Sequence, residues 1–423
     1  MNDATLSRRR FVGGSVAASL TAASYGRALG ADDRVRVADI GCGRRGLLRE
    51  LLQLKDAANV EVVAVCDTWR QKRERAAAQV KEFTGKEPAQ FVRYQDVLAR
   101  KDVDAVTIGT PDHQHCTMLI DAIKAGKDVY VEKPLALNMR ELIQAYDTVK
   151  RSDRIVQIGT QMRSYPTSGA AREFISAGRL GKILKVEQTR NGYSPYWRSY
   201  GGPAFWGTAP TEADVDWGAF LLNQKPRPFN AHMYQGWYGY RDFSRGPHTN
   251  LMVHFIDLVH FVTSASMPKR VVALGGTYRW KEQYDCPDSV EVALEYPEDF
   301  MVRYCTHFGN SANSYAKWMG TRGMIDAQSL SGSNQWVASG QGSGEPDKIA
   351  ADILLPEGGI PRQEGRLPPH MKNFIDCVRS RKQPIAPIEA GYAHSVAVIM
   401  ADEALTTGRR VAYDHSKREI HPG

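Results

Sequence analysis

The chain reads as an α/β protein with two domains: a doubly wound parallel sheet of Rossmann type, followed by an α+β domain whose sheet is largely antiparallel and open-faced. Three features of the sequence predict this. Short apolar runs alternate with amphipathic stretches from Arg34 to about residue 160, and the first run opens into Gly41-Cys42-Gly43-Arg44-Arg45-Gly46. After about residue 182, longer β-branched and aromatic runs follow one another without helices between them. The 423 residues, 42% apolar and 24% charged, supply enough apolar side chains for two cores. The expected boundaries are 31–160 for the first domain and 161–415 for the second, with a tail at 416–423 and the C-terminal helices free to pack back on the first domain.

In chain order, the first sheet takes strands at 34–41, 60–67, 103–108, 128–131 and 154–159. Helices near 45–54, 69–84, 114–125 and 138–150 fill the gaps, with Leu, Ala or Ile at helical spacing. The second sheet takes 183–191, 269–280, 288–297 and 300–308, with Pro297-Glu298-Asp299 as a hairpin turn. The Gly-, Ser- and Pro-rich stretch 331–368 reads as an extended surface excursion. Helices near 370–380 and 390–406 end the chain, and their apolar faces, such as Phe374, Val378, Val396 and Met400, need a core to cover.

The net charge of +8 falls to +5 beyond residue 30, with no basic block after Arg10, so clustered charge for nucleic acid is missing. No run approaches the roughly eighteen apolar residues of a membrane span, and no membrane anchoring is expected. The six cysteines lack metal or redox spacing and read as buried small apolar groups. Residues 1–30 look like an address: Ser7-Arg8-Arg9-Arg10-Phe11-Val12, a soft stretch to Ala23, then small residues. They resemble a twin-arginine export signal, which implies a periplasmic or secreted protein that crosses already folded, with any cofactor loaded.

The glycine motif sits between a strand and a helix, where it can serve a dinucleotide. Gly41 permits a tight turn, Gly43 lets backbone N–H groups approach a pyrophosphate beside Arg44 and Arg45, and Gly46 allows close helix packing. Asp67, 26 residues after Gly41 at the end of the second strand, can accept hydrogen bonds from ribose hydroxyls. A carboxylate there repels a 2′-phosphate and favours NAD; Arg70, one turn on, leaves NADP open.

The third strand ends in Gly109-Thr110-Pro111-Asp112-His113-Gln114-His115 and the fourth in Glu132-Lys133-Pro134. With GCGRRG and the histidine-bearing stretch near 250, these motifs resemble the glucose-fructose oxidoreductase and inositol dehydrogenase family (Gfo/Idh/MocA) over about 34–415. The resemblance implies that Thr110, Pro111 and His115 line the cofactor site, that Glu132 helps to place the nicotinamide ribose, and that Lys133 reaches the reacting hydroxyl.

Independently of the family, a lysine at the carboxyl end of a central parallel strand sits where such sheets bind ligands, and its ammonium can stabilise alkoxide character. At about 100° per residue Asn250, His254 and Asp257 share one helical face, with Leu251, Phe255 and Leu258 on another. His254 is expected to be the general base, since its ordinary pKa lies near the working range. Asp257 is either support for His254 or a packing residue. The family motif has aspartate where Asn250 stands, so a proton relay would run through His254, Lys133 or water.

His248, His254, Asp257 and His260 crowd a short stretch, but His260 points away and no metal-ligand spacing accompanies them, so no metal is expected. Thirteen aromatic residues fall between 193 and 240, where the composition predicts about four. Trp206, Trp237, Tyr238 and Tyr240 could stack on sugar rings or pack a partner chain, and both uses favour aromatics. Trp206 and Tyr238 are the candidates for the substrate wall. Gln161 and Arg163 in GTQMRS match the family's site-lining segment, Gln161 on the cofactor side and Arg163 toward the substrate.

The expected protein is an exported NAD(P)-dependent oxidoreductase, acting on a sugar or polyol hydroxyl with a tightly held cofactor and forming a homo-oligomer. The rivals are a redox-neutral, NAD-dependent glycoside-cleaving enzyme and a non-catalytic sugar-binding or structural protein.

Overall fold

The computed structural model describes residues 34–193, 207–312, 314–327, 336–354 and 368–423; the stretch 1–30 that resembles an export signal, and Trp206, lie outside them. The first domain is a parallel sheet of β1 (Val35–Ile40), β2 (Val60–Cys66), β3 (Ala89–Phe91), β4 (Ala105–Ile108), β5 (Asp128–Val131) and β6 (Val156–Ile158), in the order β3-β2-β1-β4-β5-β6. Five of these were legible in the sequence. The edge strand β3 was not, because three partly exposed residues make no pattern. Strands β1, β4 and β5 are buried on both faces and read as continuous apolar runs. The strand order reverses between β1 and β4, which opens a crevice beyond their carboxyl ends.

The second domain is a sheet built from β7 (Ile183–Asn191), β8 (Arg270–Gly276), β9 (Ser289–Tyr296), β10 (Phe300–His307), β11 (Ser314–Gly320), β12 (Gly323–Ala327), β13 (Trp336–Ser339), β14 (Asp352–Leu354), β15 (Val411–Asp414) and β16 (Glu419–Pro422). Its order is β14-β13-β12-β11-β7-β10-β9-β8-β15-β16, antiparallel except for β10 beside β7. Two sequence expectations are corrected here. The stretch 331–368 is not wholly a surface excursion: β13 and β14 continue the sheet, and Trp336 stacks on Trp318 in the core. Residues 416–423 are not a loose tail, since β16 pairs with β15 at the sheet edge.

Alternation along β9 puts Val290, Val292, Leu294 and Tyr296 into one core. The helices Met252–Thr263 and Ile388–Thr407 cover that face. The opposite face leaves Val272, Leu274 and Met301 exposed. The helix Pro369–Ser380 returns to the first domain, where Met371 and Phe374 join Val35, Val37 and Tyr130 in a single cluster. The two domains therefore share buried apolar surface as well as the crevice.

Candidate active site

A cavity of about 310 Å³ occupies the crevice, with Gly41, Gly43, Asp67, Thr110, Pro111 and Lys133 among its lining. Gly41 has φ +91°, and a Cβ there would lie 2.7 Å from the backbone carbonyl carbon of Gly109, so glycine is required both by conformation and by the approach of β4. Gly43 faces open space, where a Cβ would meet nothing within 4 Å. The role expected for Gly46 is corrected: it starts the helix Leu47–Gln53 with φ +78°, and a Cβ would meet only Arg44 O at 3.8 Å, so left-handed backbone and not tight packing demands glycine. Gly41→Ala is expected to destabilise the fold by about 2–3 kcal/mol, left-handed strain plus a backbone clash, and to abolish dinucleotide retention. Urea unfolding with a nucleotide titration checks both.

Asp67 ends β2 at one end of the cavity and is 8% exposed. Its Oδ1 accepts the Trp69 backbone N–H at 2.9 Å and, more weakly, the Tyr234 hydroxyl at 3.4 Å. Tyr234 arrives from the second domain. The segment around it crosses the end of β2, where Arg70 N donates to Asp214 O and Asp216 N to Thr68 O, both at 2.9 Å. Phe220 closes the other flank, its carbonyl accepting from Gln114 Nε2 at 2.6 Å. The glycine floor, an acid at one end and a lysine at the other fit a nicotinamide dinucleotide.

Glu132 is a buried hub. Its Oε1 accepts from Arg45 Nε at 2.6 Å and from Gln161 Nε2 at 2.8 Å. Arg45 also pairs with Glu50 through Nη1, so its guanidinium ties the glycine turn to the end of β5 while lining the cavity. Gln161, which also reaches Tyr130 Oη at 2.9 Å, stands behind Glu132 and not at the cavity surface. Glycine at 159 is needed for the same hub, since a Cβ there would lie 2.6 Å from Glu132 Cδ. His115 lies with one ring nitrogen 2.7 Å from Pro134 O and the other 2.9 Å from Thr110 O, which joins the two motif loops.

At the other end, Lys133 Nζ donates to Asn250 Oδ1 and to Asn250 O, both at 2.9 Å. Asn250 Nδ2 in turn donates to Asp112 Oδ1 at 2.8 Å, while Asp112 Oδ2 accepts from Ser244 Oγ at 2.7 Å. Burial pushes Asp112 up to about 6, against the pull of His115 and Lys133. Burial also holds Lys133 below the ordinary lysine value, against Glu132 and Asp112, which favour its charge. Asp112 was visible inside TPDHQH but had no partner there; its link to Lys133 exists only once Asn250 is folded between them. Asn250 thus lines the cavity with a carboxylate behind it.

The predicted single helix is broken at Leu251 into Pro247–Asn250 and Met252–Thr263; Asn250 meets Lys133 beyond β5 and lines the cavity, Asp257 meets Arg163 beyond β6, and His254 is not among the cavity's lining. Burial, then the charges of Lys133 and Arg45, hold His254 well below the ordinary histidine value, and its Nδ1 is buried without a protein partner. Asp257 does not support His254. It is 0% exposed and takes Arg163 in two contacts, Nε at 2.7 Å and Nη2 at 2.9 Å, with His394 Nδ1 at 3.0 Å. Arg163, expected at the substrate, is turned into that buried pair. Tyr238 is corrected likewise: it is 3% exposed and packs with Trp280, Tyr284 and Phe308. Among the described residues of the aromatic-rich segment, Trp217, Phe220 and Tyr234 pack with Phe243 on Trp69 of the first domain, while Trp237 reaches the cavity. His248 binds Asp402 and His260 binds Tyr296, so the crowded histidines diverge; among the described residues no three potential ligands cluster.

A family model described as "Oxidoreductase family, NAD-binding Rossmann fold" matches residues 35–160, and one described as "Oxidoreductase family, C-terminal alpha/beta domain" matches 172–413. A glycosyl hydrolase family 109 protein of Shewanella sp. (strain W3-18-1) is 31% identical over 159 residues, 37% of this chain and 34% of that protein. The chain thus spans about a third of the length of this curated relative. Among solved structures, the WlbA dehydrogenase of Bordetella pertussis in complex with NADH and UDP-GlcNAcA superposes with TM-score 0.66 at 19% identity, over 90% of this chain and 99% of that one. A levoglucosan dehydrogenase in complex with NADH and levoglucosan gives 0.65 at 17% identity, over 92% and 99%. At these identities the likeness establishes the fold.

Proposed function

The chain belongs to the GFO_IDH_MocA oxidoreductase family, with an NAD-binding Rossmann domain at its N-terminal end, and from that premise we propose that it moves hydride between the carbon of a sugar or polyol hydroxyl and tightly held NAD. The observation that carries this is Lys133, at the end of a dinucleotide cavity, with Nζ held by both oxygens of Asn250. Two of the ammonium's hydrogens are thereby committed, and the third is available to the reacting oxygen. NAD, when bound, supplies the hydride acceptor. Lys133 then stabilises negative charge on the substrate oxygen as its proton passes to His254, whose neutral imidazole is an acceptor. Glu132 keeps the glycine turn and β5 in register, and Asp112 fixes the amide of Asn250 so that its oxygen faces Lys133.

A second reading, in which oxidation is only transient and a glycosidic bond is eliminated, is favoured by the glycosyl hydrolase relative and by an amide at position 250. One experiment separates them. The purified, unexported protein is denatured and the released small molecules are identified by mass spectrometry, then a panel of sugars, polyols and glycosides is assayed. Stoichiometric NAD(H) and net NADH formation support hydride transfer; sugar release without net NADH supports elimination. A protein that neither carries nor binds nucleotide overturns both.

We also propose export through the twin-arginine route with the cofactor already in place, supported by Arg8, Arg9 and the soft apolar stretch after them, and self-association through the open sheet face, supported by exposed Val272, Leu274 and Met301. Loss of export in an Arg8→Lys, Arg9→Lys variant and light scattering on a Leu274→Glu variant test these.

A further inference from the structure

We propose that the preference for NAD over NADP is set across the two domains, with Tyr234 of the second domain as a specificity residue acting on Asp67 and Lys72 of the first. This rests on the reading of the cavity as a dinucleotide site. A 2′-phosphate is accepted where a cation can meet it and where no fixed carboxylate opposes it. The β2 end offers two cations, Arg70 and Lys72, within five residues of Asp67. Both are engaged by the segment that crosses from the second domain. Arg70 forms an ion pair with Asp214, and Lys72 Nζ lies 4.9 Å from the centre of the Tyr234 ring and 3.5 Å from its hydroxyl.

The same hydroxyl approaches Asp67 Oδ1 at 3.4 Å and Thr68 Oγ1 at 3.5 Å, and the ring packs edge-on against Trp69. Tyr234 is 3% exposed, so it is a rigid wall beside the carboxylate and not a mobile cover. With Oδ1 taken by the Trp69 N–H and the tyrosine, Asp67 is held in one orientation, and Oδ2 is left for the ribose hydroxyls. A phosphate on the 2′-oxygen would meet a fixed anion, an aromatic ring and a cation already in use. The Arg70 pair is mostly exposed and contributes less; the buried tyrosine contributes more.

The test is a titration of NAD and NADP into purified protein stripped of nucleotide, followed by tryptophan fluorescence, for the wild type, Tyr234→Phe, Tyr234→Ala and Asp214→Ala. The wild type is expected to bind NAD more tightly than NADP. Tyr234→Phe, which keeps the packing and loses the hydroxyl, should narrow the ratio of the two dissociation constants by about tenfold, and Tyr234→Ala by more. Asp214→Ala should narrow it only by about twofold. A ratio unchanged in Tyr234→Phe, with NAD still bound, overturns the proposal and leaves the cofactor reading intact. Failure of the wild type to bind either nucleotide overturns that reading and the proposal with it. Because Tyr234→Phe preserves the ring, the result does not depend on whether the alanine variant folds.

Discussion

Lys133→Met is expected to lower turnover by about 10³-fold while nucleotide binding and the unfolding midpoint stay close to those of the wild type. The methionine fills similar space but offers no charge to the reacting oxygen, and the two oxygens of Asn250 that hold Nζ stay where they are at the cavity, where water can take the place of Nζ. The pH profile carries the more specific forecast. His254 must be unprotonated to accept, and burial beside Lys133 and Arg45 holds it well below the ordinary histidine value, so the acid limb of kcat/KM should lie below about 6.5. Lys133 must be protonated to donate, and burial holds it below the ordinary lysine value, so the alkaline limb should lie below about 10.4. The result is a bell displaced toward acid on both sides. Lys133→Arg should carry the alkaline limb out of range, and His254→Asn should remove the acid limb. An alkaline limb that survives in Lys133→Arg would assign it to another group.

Arg163→Met is expected to cost about 3–5 kcal/mol, because it leaves a carboxylate at 0% exposure without its cation. In the wild type, burial pushes Asp257 up, but Arg163 and His394 outweigh it and hold the carboxyl well below the usual range. A carboxyl depressed in the folded state stabilises above its unfolded value, near 3.9, and that contribution is lost only as pH falls through the lower folded value. Without Arg163 the balance reverses: the carboxyl rises, and the variant loses stability as pH rises above about 4. The gap between wild type and variant should therefore widen with pH, which urea unfolding at several pH values measures. A gap that is constant with pH would mean the arginine acts by packing alone, through its contact with the Phe261 ring. Asp257→Asn, by contrast, should leave turnover far less affected than His254→Asn, since Asp257 anchors the helix and does not touch the reacting atoms.

The parallel sheet was legible because its signals are local. An apolar run of four to seven residues, a glycine turn after it and an acid or lysine at the next strand end all lie within short windows, and β1, β2, β4 and β5 fell where those windows put them. Residues that line the cavity from these strand ends, Gly41, Asp67, Thr110 and Lys133, were readable for the same reason. The strands β13 and β14 were obscured by the Gly- and Ser-rich composition around them, since pairing, β13 with β12 and β14 with β13, is what makes them strands.

By itself, then, the sequence determined the two-domain architecture, the dinucleotide motif and the lysine that faces it. Only the tertiary structure decided what the polar side chains do. Asp112 reaches Lys133 through Asn250, which is 138 positions from Asp112; Asp257 turned out to serve Arg163 and His394, 94 and 137 positions away, and not the histidine beside it on its helix; and Asp67 meets Tyr234 across 167 residues. The physical reason is that apolar periodicity is written along the chain, whereas a buried donor or charge must be satisfied by whatever the fold brings within about 3 Å, and that neighbour can come from anywhere in the sequence.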